Sequence, residues 1–157
     1  MSNSDRISAA PVDMSDCGLV AAADILADRW SVLVLREALY GVSRFEDMRT
    51  DLGIPKATLT NRLKRLTEAG LLSVKSYKDE GRRTRRAYTP TPAARALTLP
   101  FMALMQWADE AVLHRGSALT MASAHGVPVR VAYVDADGKA VAPADVRFKA
   151  AKPRKSS

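Results

Sequence analysis

Hydrophobic positions recur at helical spacing in several stretches of this chain. The most apolar stretch is WSVLVLREALY, residues 30–40, where the main polar positions are Ser31 and the adjacent Arg36 and Glu37. A helix that is apolar on nearly every side is normally surrounded by other elements. We therefore predict that residues 30–40 form the central buried helix and that Trp30 is a packing anchor within it.

Residues 43–72 contain two short helical patterns joined by a turn with a glycine. Ser43 can cap the first helix, because Glu46 three residues later completes a capping box that satisfies helix donors from both sides. Gly53 closes this helix, and the second helix covers residues 55–69 with a proline at its first position. Two short helices in this arrangement are typical of a helix-turn-helix.

The second helix has an apolar side and a polar, basic side. Leu59, Leu63 and Leu66 lie at i, i+4 and i+7 and should face the core. The opposite side carries Thr, Asn, Lys and Arg, whose side chains can pair with bases and phosphates in the major groove of DNA. We predict that bases are read by Thr58, Asn61 and Arg65, and that the DNA backbone is held by Lys56, Thr60, Arg62 and Lys64.

Two arginines near this helix have structural alternatives. Arg44, at the N-terminus of the preceding helix, is a candidate phosphate contact, and Arg62 is a candidate backbone contact. Either guanidinium could instead pair with Glu46 or Asp47 beside the core. For the whole polar side of the helix, the corresponding alternative is a solvated surface without a ligand.

A basic hairpin follows the second helix directly. Residues 71–78 and 85–89 read as its two strands, and the turn-rich residues 79–84 lie between them. A helix-turn-helix followed by such a ribbon is a winged helix-turn-helix. The wing would contact phosphates or a minor groove through Arg82, Arg83, Arg85 and Arg86. An exposed hairpin that only improves solubility is the alternative.

Two further helical stretches are more apolar than a domain of this size needs for its own core. One opens after Asp16 and contains Cys17, and the other covers residues 92–114 with a kink expected at Pro100. We expect a homodimer that forms through the Cys17 helix and the 92–114 helix. Its two-fold symmetry would present two recognition helices to a pseudo-palindromic site.

These patterns predict the fold class and the domain organisation. The fold is mainly α with a small β-ribbon (α+β): a winged helix-turn-helix domain at residues 16–115, with long N- and C-terminal dimerisation helices. A disordered arm at residues 1–15 precedes this domain. It is followed by a C-terminal β-hairpin at residues 116–150, turning at residues 135–138, and by a basic disordered tail at residues 151–157.

The charge distribution favours a polyanionic partner. The 24 Lys and Arg residues against 17 Asp and Glu residues give a net charge of +7. Residues 54–66 carry four basic and no acidic side chains, and residues 75–86 carry six basic and two acidic ones. The basic residues are therefore concentrated on the predicted recognition helix and wing.

Cysteine content and the N-terminal stretch indicate the compartment. Cys17 is the single cysteine, which excludes an intramolecular disulfide and a cysteine-based zinc site. The chain shows no secretory signal and no apolar run long enough to cross a membrane. We therefore expect a cytoplasmic, nucleoid-associated protein.

An enzyme is not expected, and neither is a cofactor or a metal. His114 and His125 lack a paired acid, and there is no glycine-rich phosphate loop. Residues 135–138 faintly resemble a calcium loop but lack its distal glutamate. A winged helix that contacts protein or RNA remains the alternative, since fold does not dictate function. RNA readers usually interleave aromatic and basic residues, however, and the recognition helix contains no aromatic residue.

Residues 17–107 resemble the HxlR-type winged helix-turn-helix regulators, a bacterial family. The motifs that carry the resemblance are Cys17, Asp28-Arg29-Trp30, Gly41-Val42-Ser43-Arg44-Phe45, Leu59-Thr60-Asn61-Arg62-Leu63, Glu68-Ala69-Gly70-Leu71 and Tyr88-Thr89-Pro90-Thr91. The resemblance implies a dimeric DNA-binding transcription factor that responds to a small-molecule or oxidant effector. We expect a repressor, because such proteins often act by occupying promoters.

Cys17 has two interpretations. Some members of this family use the cysteine before the first helix as a redox switch, and Cys17 matches that position. A helix N-terminus makes a thiolate more available, whereas the nearby Asp13 and Asp16 oppose its formation. A small, half-buried packing residue is therefore the alternative.

Overall fold

The computed structural model describes residues 14–26, 28–78, 85–114 and 119–147. The helices are α1 (Gly18–Leu26), α2 (Arg29–Leu39), α3 (Phe45–Leu52), α4 (Lys56–Glu68), α5 (Pro92–Ala96) and α6 (Thr98–Ala111). The strands are β1 (Leu72–Tyr77), β2 (Arg85–Pro90), β3 (Met121–Ala122), β4 (Pro128–Val129), β5 (Tyr133–Val134) and β6 (Ala140–Val141). The predicted α+β class is confirmed. The predicted N-terminal arm up to residue 13 and the predicted basic tail lie outside the described residues.

The chain divides into two compact units. One unit comprises residues 26–131 and contains the helix-turn-helix. In its described part, the other unit comprises residues 14–25 with 132–147. Its hairpin, β5–β6, turns where the sequence predicts, because the Asp135 carboxylate accepts hydrogen bonds from the backbone N–H groups of Asp137 and Lys139.

The apolar stretch at residues 30–40 forms the central helix of the larger unit, as predicted. α2 buries Val34, Leu35 and Ala38 and packs against α3, α4, α5 and β2. The leucine stripe of α4 faces the same core, with Leu59, Leu63 and Leu66 at most 1% exposed. Trp30 packs against this cluster, which agrees with its predicted role as an anchor. Within the described ranges, no helix is long and apolar enough to cross a bilayer.

The start of α3 differs from the prediction. Arg44, not Ser43, is the N-cap residue, and no side chain caps the helix. The carbonyl oxygen of Ser43 accepts a hydrogen bond of 2.8 Å from the Tyr88 N–H, and Arg44 forms an antiparallel bridge with Ala87. This segment is therefore extended against β2. The predicted capping box does not form, because the strand contact holds Ser43 outside the helix.

The wing follows the second helix through a glycine turn. Gly70 has φ +71°, and the N–H groups of Gly70 and Leu71 donate to the carbonyls of Thr67 and Leu66. These two bonds form a Schellman motif that ends α4. β1 then pairs antiparallel with β2 from Leu72 opposite Pro90 to Tyr77 opposite Arg85. Helix, turn, helix and ribbon thus form the predicted winged helix-turn-helix.

The helix predicted at residues 92–114 is interrupted. Thr91 caps it as expected, because its hydroxyl accepts a hydrogen bond from the Ala94 N–H. The chain then breaks at Leu97 into α5 and α6, whereas a kink in one helix was expected. Pro100 explains the break, since it lacks an N–H group and its ring excludes the carbonyl of the residue four positions earlier.

The C-terminal extension forms two small hairpins where a single longer one was expected. β3 pairs with β4 and β5 pairs with β6, and each strand contains two residues. The first hairpin turns at Gly126, which has φ +77°. The second turns at residues 135–138, as predicted. The hydrophobic periodicity did not reveal the turn at Gly126, and this turn creates the additional hairpin.

Candidate nucleic-acid interface

The polar side of α4 faces solvent. Lys56, Thr60, Asn61, Lys64 and Arg65 are exposed. Thr58 and Arg62, which are also predicted DNA contacts, are half-buried. The Thr60 hydroxyl donates to the Lys56 carbonyl at 2.9 Å, and the Lys64 ammonium lies 3.7 Å from the Glu68 carboxylate. The latter pair spans one helical turn at the surface and constrains Lys64 only weakly.

Cationic side chains from three elements meet at one cleft of about 420 Å³. α4 contributes Lys56, β2 contributes Arg85 and Arg86, and the start of α3 contributes Arg44. The Arg44 guanidinium lies 5.1 Å from the centre of the Tyr77 ring, a cation–π distance. The fold therefore brings the start of the predicted recognition helix and the Tyr77–Arg85 end of the β1–β2 ribbon to one concave surface.

Two acids and two tyrosines, together with Phe45 and Thr60, complete the lining of this cleft. Glu46 and Asp47 also line it and reduce its positive charge. Glu46 accepts a hydrogen bond of 2.8 Å from Arg49. Tyr77 and Tyr88 supply apolar surface. Two further arginines predicted for the wing, Arg82 and Arg83, lie outside the described residues.

Arg62 has a partner that the sequence analysis missed. Its Nε donates to Oδ1 of Asp28 at 2.9 Å, where Glu46 or Asp47 was the expected alternative. Asp28 is the N-cap of α2, and its carboxylate also accepts from the N–H groups of Trp30 and Ser31 and from the Ser31 hydroxyl. An aspartate two residues before the predicted central helix is a capping signal that could have pointed to this role of Asp28.

The environment of Asp28 favours its ionised form. Partial burial raises the pKa of Asp28, but the hydrogen bonds from Ser31 and Arg62 and the charge of Arg62 outweigh that effect. The pKa of Asp28 therefore lies below its usual value. The resulting ion pair joins the N-terminus of α2 to the middle of α4.

The same arginine contacts a predicted base-reading residue. Arg62 also donates from Nη1 to Oδ1 of Asn61 at 3.0 Å. A guanidinium only donates hydrogen bonds, so the carbonyl oxygen of the Asn61 amide must point towards it. The amide nitrogen of Asn61 is then directed away from Arg62.

Cys17 lies in the smaller unit, directly before α1. Its thiol is free and its side chain is half-buried. Its carbonyl accepts from the N–H groups of Val20 at 3.0 Å and Ala21 at 3.3 Å, and the bond from Ala21 is the first α-helical one. Asp16, after which the helix was expected to open, lies in a 3-10 turn at Met14–Asp16.

Two helices carry large apolar side chains that remain exposed. On α6 these are Leu99, Leu104 and Trp107, and on α1 Leu19 is 78% exposed. Phe101 is the residue of α6 that enters the core. Each of these helices therefore has apolar surface available for the predicted dimerisation.

Comparison with known proteins identifies the family. Residues 25–116 match the HxlR-like helix-turn-helix family, which covers α2 to α6 and the wing between them. The chain belongs to the HxlR-like family. This agrees with the resemblance found in the sequence motifs.

Curated relatives of this chain come from mycobacteria. Over 89 residues the chain is 42% identical to Rv3095 of Mycobacterium tuberculosis and to Mb3122 of Mycobacterium bovis, both named as uncharacterised HTH-type transcriptional regulators. The match covers 57% of this chain and 55% of each relative. The chain thus spans about half the length of these curated relatives.

Solved structures resemble a larger part of the chain. PA1607, described as a candidate transcription factor, superposes with a TM-score of 0.73 at 28% identity over 86% of this chain and 95% of its own. PA1374 from Pseudomonas aeruginosa, described in the same way, has a TM-score of 0.60 at 28% identity over 90% and 95% of the two chains. The reduced form of the regulator YodB from B. subtilis, at 24% identity and a TM-score of 0.54, covers 64% of this chain and 98% of its own and shares the fold.

Proposed function

We propose that this HxlR-like protein is a transcriptional regulator that binds a pseudo-palindromic DNA operator as a homodimer. One observation carries the proposal: Lys56 of α4 and Arg85 and Arg86 of the wing line the same cleft. Phosphate contacts orient a protein on the duplex, while side chains on the recognition helix read bases in the major groove. A shared basic cleft beside an exposed Asn and Arg suits both tasks.

We assign the individual roles as follows. Bases are read by Thr58, Asn61 and Arg65, and phosphates are held by Arg44, Lys56, Thr60, Lys64, Arg82, Arg83 and Arg85. Arg62 receives a different role from the one expected from sequence, because its guanidinium is engaged by Asp28 and by Asn61. We assign it the task of holding the Asn61 amide in a reading orientation.

We propose that dimerisation uses the exposed apolar faces of α1 and α6. Burial of apolar surface favours association by roughly 25 cal/mol per Å², from which the entropy cost of bringing two chains together is subtracted. A two-fold dimer would carry two copies of the basic cleft, and a pseudo-palindromic operator would match that symmetry. We also propose that the protein is a cytoplasmic repressor, since occupancy of a promoter by such a dimer blocks transcription.

Selection of bound duplexes from a random DNA pool tests this function directly. We expect enrichment of one motif with two related half-sites about one helical turn apart. A matched selection with Asn61→Ala should lose preference at one base position in each half-site. Enrichment of no motif would favour a protein-binding or RNA-binding winged helix instead.

We propose Cys17 as the candidate redox sensor. Its half-buried thiol leaves a route for an oxidant and lies directly before α1, an element of the proposed dimer interface. Diamide treatment should change DNA affinity in the native protein and leave Cys17→Ser unaffected. No change in affinity, together with no Cys17-dependent crosslinked dimer on a non-reducing gel, would rule out this role.

A further inference from the structure

Helix α6 has a third face that neither the core nor the proposed dimer interface uses. Phe101 faces the core, while Leu104 and Trp107 belong to the exposed apolar face. At about 100° per residue, Met102 and Asp109 fall on the side of the helix opposite Leu104 and Trp107. A ligand on this third face would therefore leave the dimer surface free.

The third face is one wall of a cleft, and the β3–β4 hairpin is the other wall. The cleft has a volume of about 360 Å³. Ligand pockets in proteins commonly have volumes of about 300–1,000 Å³. The lining residues are Met102, Met105, Gln106, Asp109 and Glu110 from α6, and Leu119, Thr120, Met121, Pro128 and Val129 from the hairpin segment.

A pair of hydrogen bonds holds the hairpin segment on the helix. The Gln106 side chain donates from Nε2 to the Val131 carbonyl and accepts from the Val131 N–H through Oε1, each at 3.2 Å. This two-bond contact satisfies both ends of the amide and orients the hairpin. The cleft is thus formed before a ligand arrives, so binding need not include the entropy cost of ordering its walls.

The lining has a distinct chemistry. Met102, Met105 and Met121 supply flexible, polarisable apolar surface that adapts to ligands of different shape. Asp109 and Glu110 are its charged members, and no Lys or Arg appears among the described residues of the lining. The described lining therefore carries two acidic side chains and no basic one, in a chain whose net charge is +7. An apolar ligand with a positive charge matches this surface.

We propose that this cleft binds a small organic cation with an apolar body, such as an aromatic quaternary ammonium compound. The apolar body lies against the methionines, and the cation lies at the Asp109 and Glu110 end. The site does not depend on DNA binding. If the protein does not bind DNA, it can still bind the cation in this cleft. If the cleft does not bind the cation, the proposed DNA function is unaffected.

Methionine methyl NMR tests the site without DNA. The chain has six methionines, of which three line the cleft and Met48 lies fully buried in the core. Titration of protein labelled with methyl-13C methionine with benzyltrimethylammonium should shift Met102, Met105 and Met121 in a saturable way and leave Met48 unchanged. Benzylsulfonate, which has the same aromatic body and the opposite charge, should not shift them.

Charge-neutralising variants test whether binding of the cation depends on the acids of this cleft or on the overall charge of the protein. Asp109→Asn combined with Glu110→Gln keeps the shape of the cleft and should weaken binding of the cation at least tenfold. The matched control, Asp51→Asn with Glu68→Gln, removes two exposed acids outside the cleft and should leave the affinity unchanged. Val129→Trp should fill the cleft and abolish the shifts, while an unchanged Met48 signal would show that the core is intact.

Three results would overturn the proposal. The first is an absence of saturable shifts, and the second is equal binding of benzylsulfonate. The third is a change in the Met102, Met105 and Met121 signals on dilution of the protein alone, with no response to the cation. That result would assign the cleft to a contact with a second copy of the chain.

Discussion

At the scale of single residues, Asp28 connects two helices of the winged helix-turn-helix. It caps α2 through the N–H groups of Trp30 and Ser31, and it pairs with Arg62 on α4. The side chains of Asp28 and Arg62 are 25% and 22% exposed. Such partly buried, hydrogen-bonded groups are screened less by solvent than surface ion pairs. Asp28 therefore contributes to both the start of α2 and the orientation of the recognition helix.

Asp28→Ala should lower the free energy of unfolding by about 1–2 kcal/mol, because it removes the cap and the ion pair together. Asp28→Asn is the matched control, since asparagine is also a good N-cap and removes only the charge. We expect its cost to be below about 1 kcal/mol. Urea denaturation of the three proteins measures both values, and equal losses for the two variants would show that capping contributes little.

The lowered pKa of Asp28 predicts the direction of a pH effect. Its ionised form stabilises the folded protein above the unfolded pKa of about 3.9, and this contribution disappears as pH falls through the lower folded pKa. The difference in unfolding free energy between the native protein and Asp28→Asn should therefore be constant above about pH 5 and shrink below about pH 3.9. A difference that grows with acidity would contradict the assignment.

Within the proposed function, Asn61→Ala should cost about 1–3 kcal/mol on the selected operator and relax preference at one base position. Arg85→Ala should weaken binding to all sequences similarly and reduce the salt dependence, as expected for a phosphate contact. Fluorescence anisotropy on operator and random duplexes distinguishes the two. Equal losses of Asn61→Ala on both duplexes would contradict a base-reading role.

Arg62 can be tested by a double-mutant cycle with Asn61. If Arg62 acts only by orienting the Asn61 amide, Arg62→Ala should cost affinity in the native background and little more in Asn61→Ala. The losses would instead add if Arg62 contacts phosphate independently. An unfolding curve recorded for each variant checks that the loss of affinity does not come from unfolding of α4.

At the scale of elements, the junction between α4 and β1 determines where the wing begins. Gly70 takes the left-handed conformation that the Schellman motif requires, with φ +71°. A Cβ at this position would meet no atom within 4 Å. The requirement for glycine is therefore conformational, because no neighbouring atom would obstruct a larger side chain.

Gly70→Ala should destabilise the protein by about 1 kcal/mol, because an L-residue with a Cβ is strained in the left-handed region. Gly18→Ala is a matched control, since a Cβ there also meets nothing within 4 Å and Gly18 lies in helical conformation. We expect the control to be neutral or to stabilise by up to about 1 kcal/mol. Thermal or urea unfolding that ranks the two variants in the opposite order would exclude this explanation.

At the scale of the whole molecule, apolar side chains remain at the surface of the larger unit. Trp107 is 59% exposed on α6, and Leu104 on the same face is 56% exposed. Isolated exposed apolar residues are ordinary, whereas a contiguous apolar face commonly marks an interaction surface. We propose a second copy of the chain as the partner of this face.

Trp107→Glu should convert the protein to a monomer, because a charge would then be buried at the proposed interface. Val127→Glu is the matched control, since Val127 is also 59% exposed but lies in the β3–β4 turn. Sedimentation velocity measures the mass of each species. A native protein that is monomeric at micromolar concentration, or a dimeric Trp107→Glu, would refute this arrangement.

Local patterns predicted the elements well and their partners poorly. Hydrophobic periodicity predicted the central helix, the leucine stripe of α4 and both strands of the wing. Periodicity records which side of an element is buried, and that pattern is local in the sequence. The exposure of Lys56, Asn61 and Lys64 was also predicted, although their contacts with DNA remain predictions. The pairing of Ser43 and Arg44 with β2, the break at Leu97 and the Asp28–Arg62 pair were missed. Two of these three depend on residues distant in the sequence.

The sequence by itself determined the family, the order of the elements from α2 to β2 and the side of α4 that faces the core, since these depend on local spacing and on turn residues such as Gly70. Only the tertiary structure decided which distant side chains meet. Asp28 reaches Arg62 across 34 positions, and Lys56 shares a cleft with Arg85, because packing of α4 against α2 and β1 brings them together. Periodicity encodes burial, whereas contacts between elements depend on how the buried faces fit.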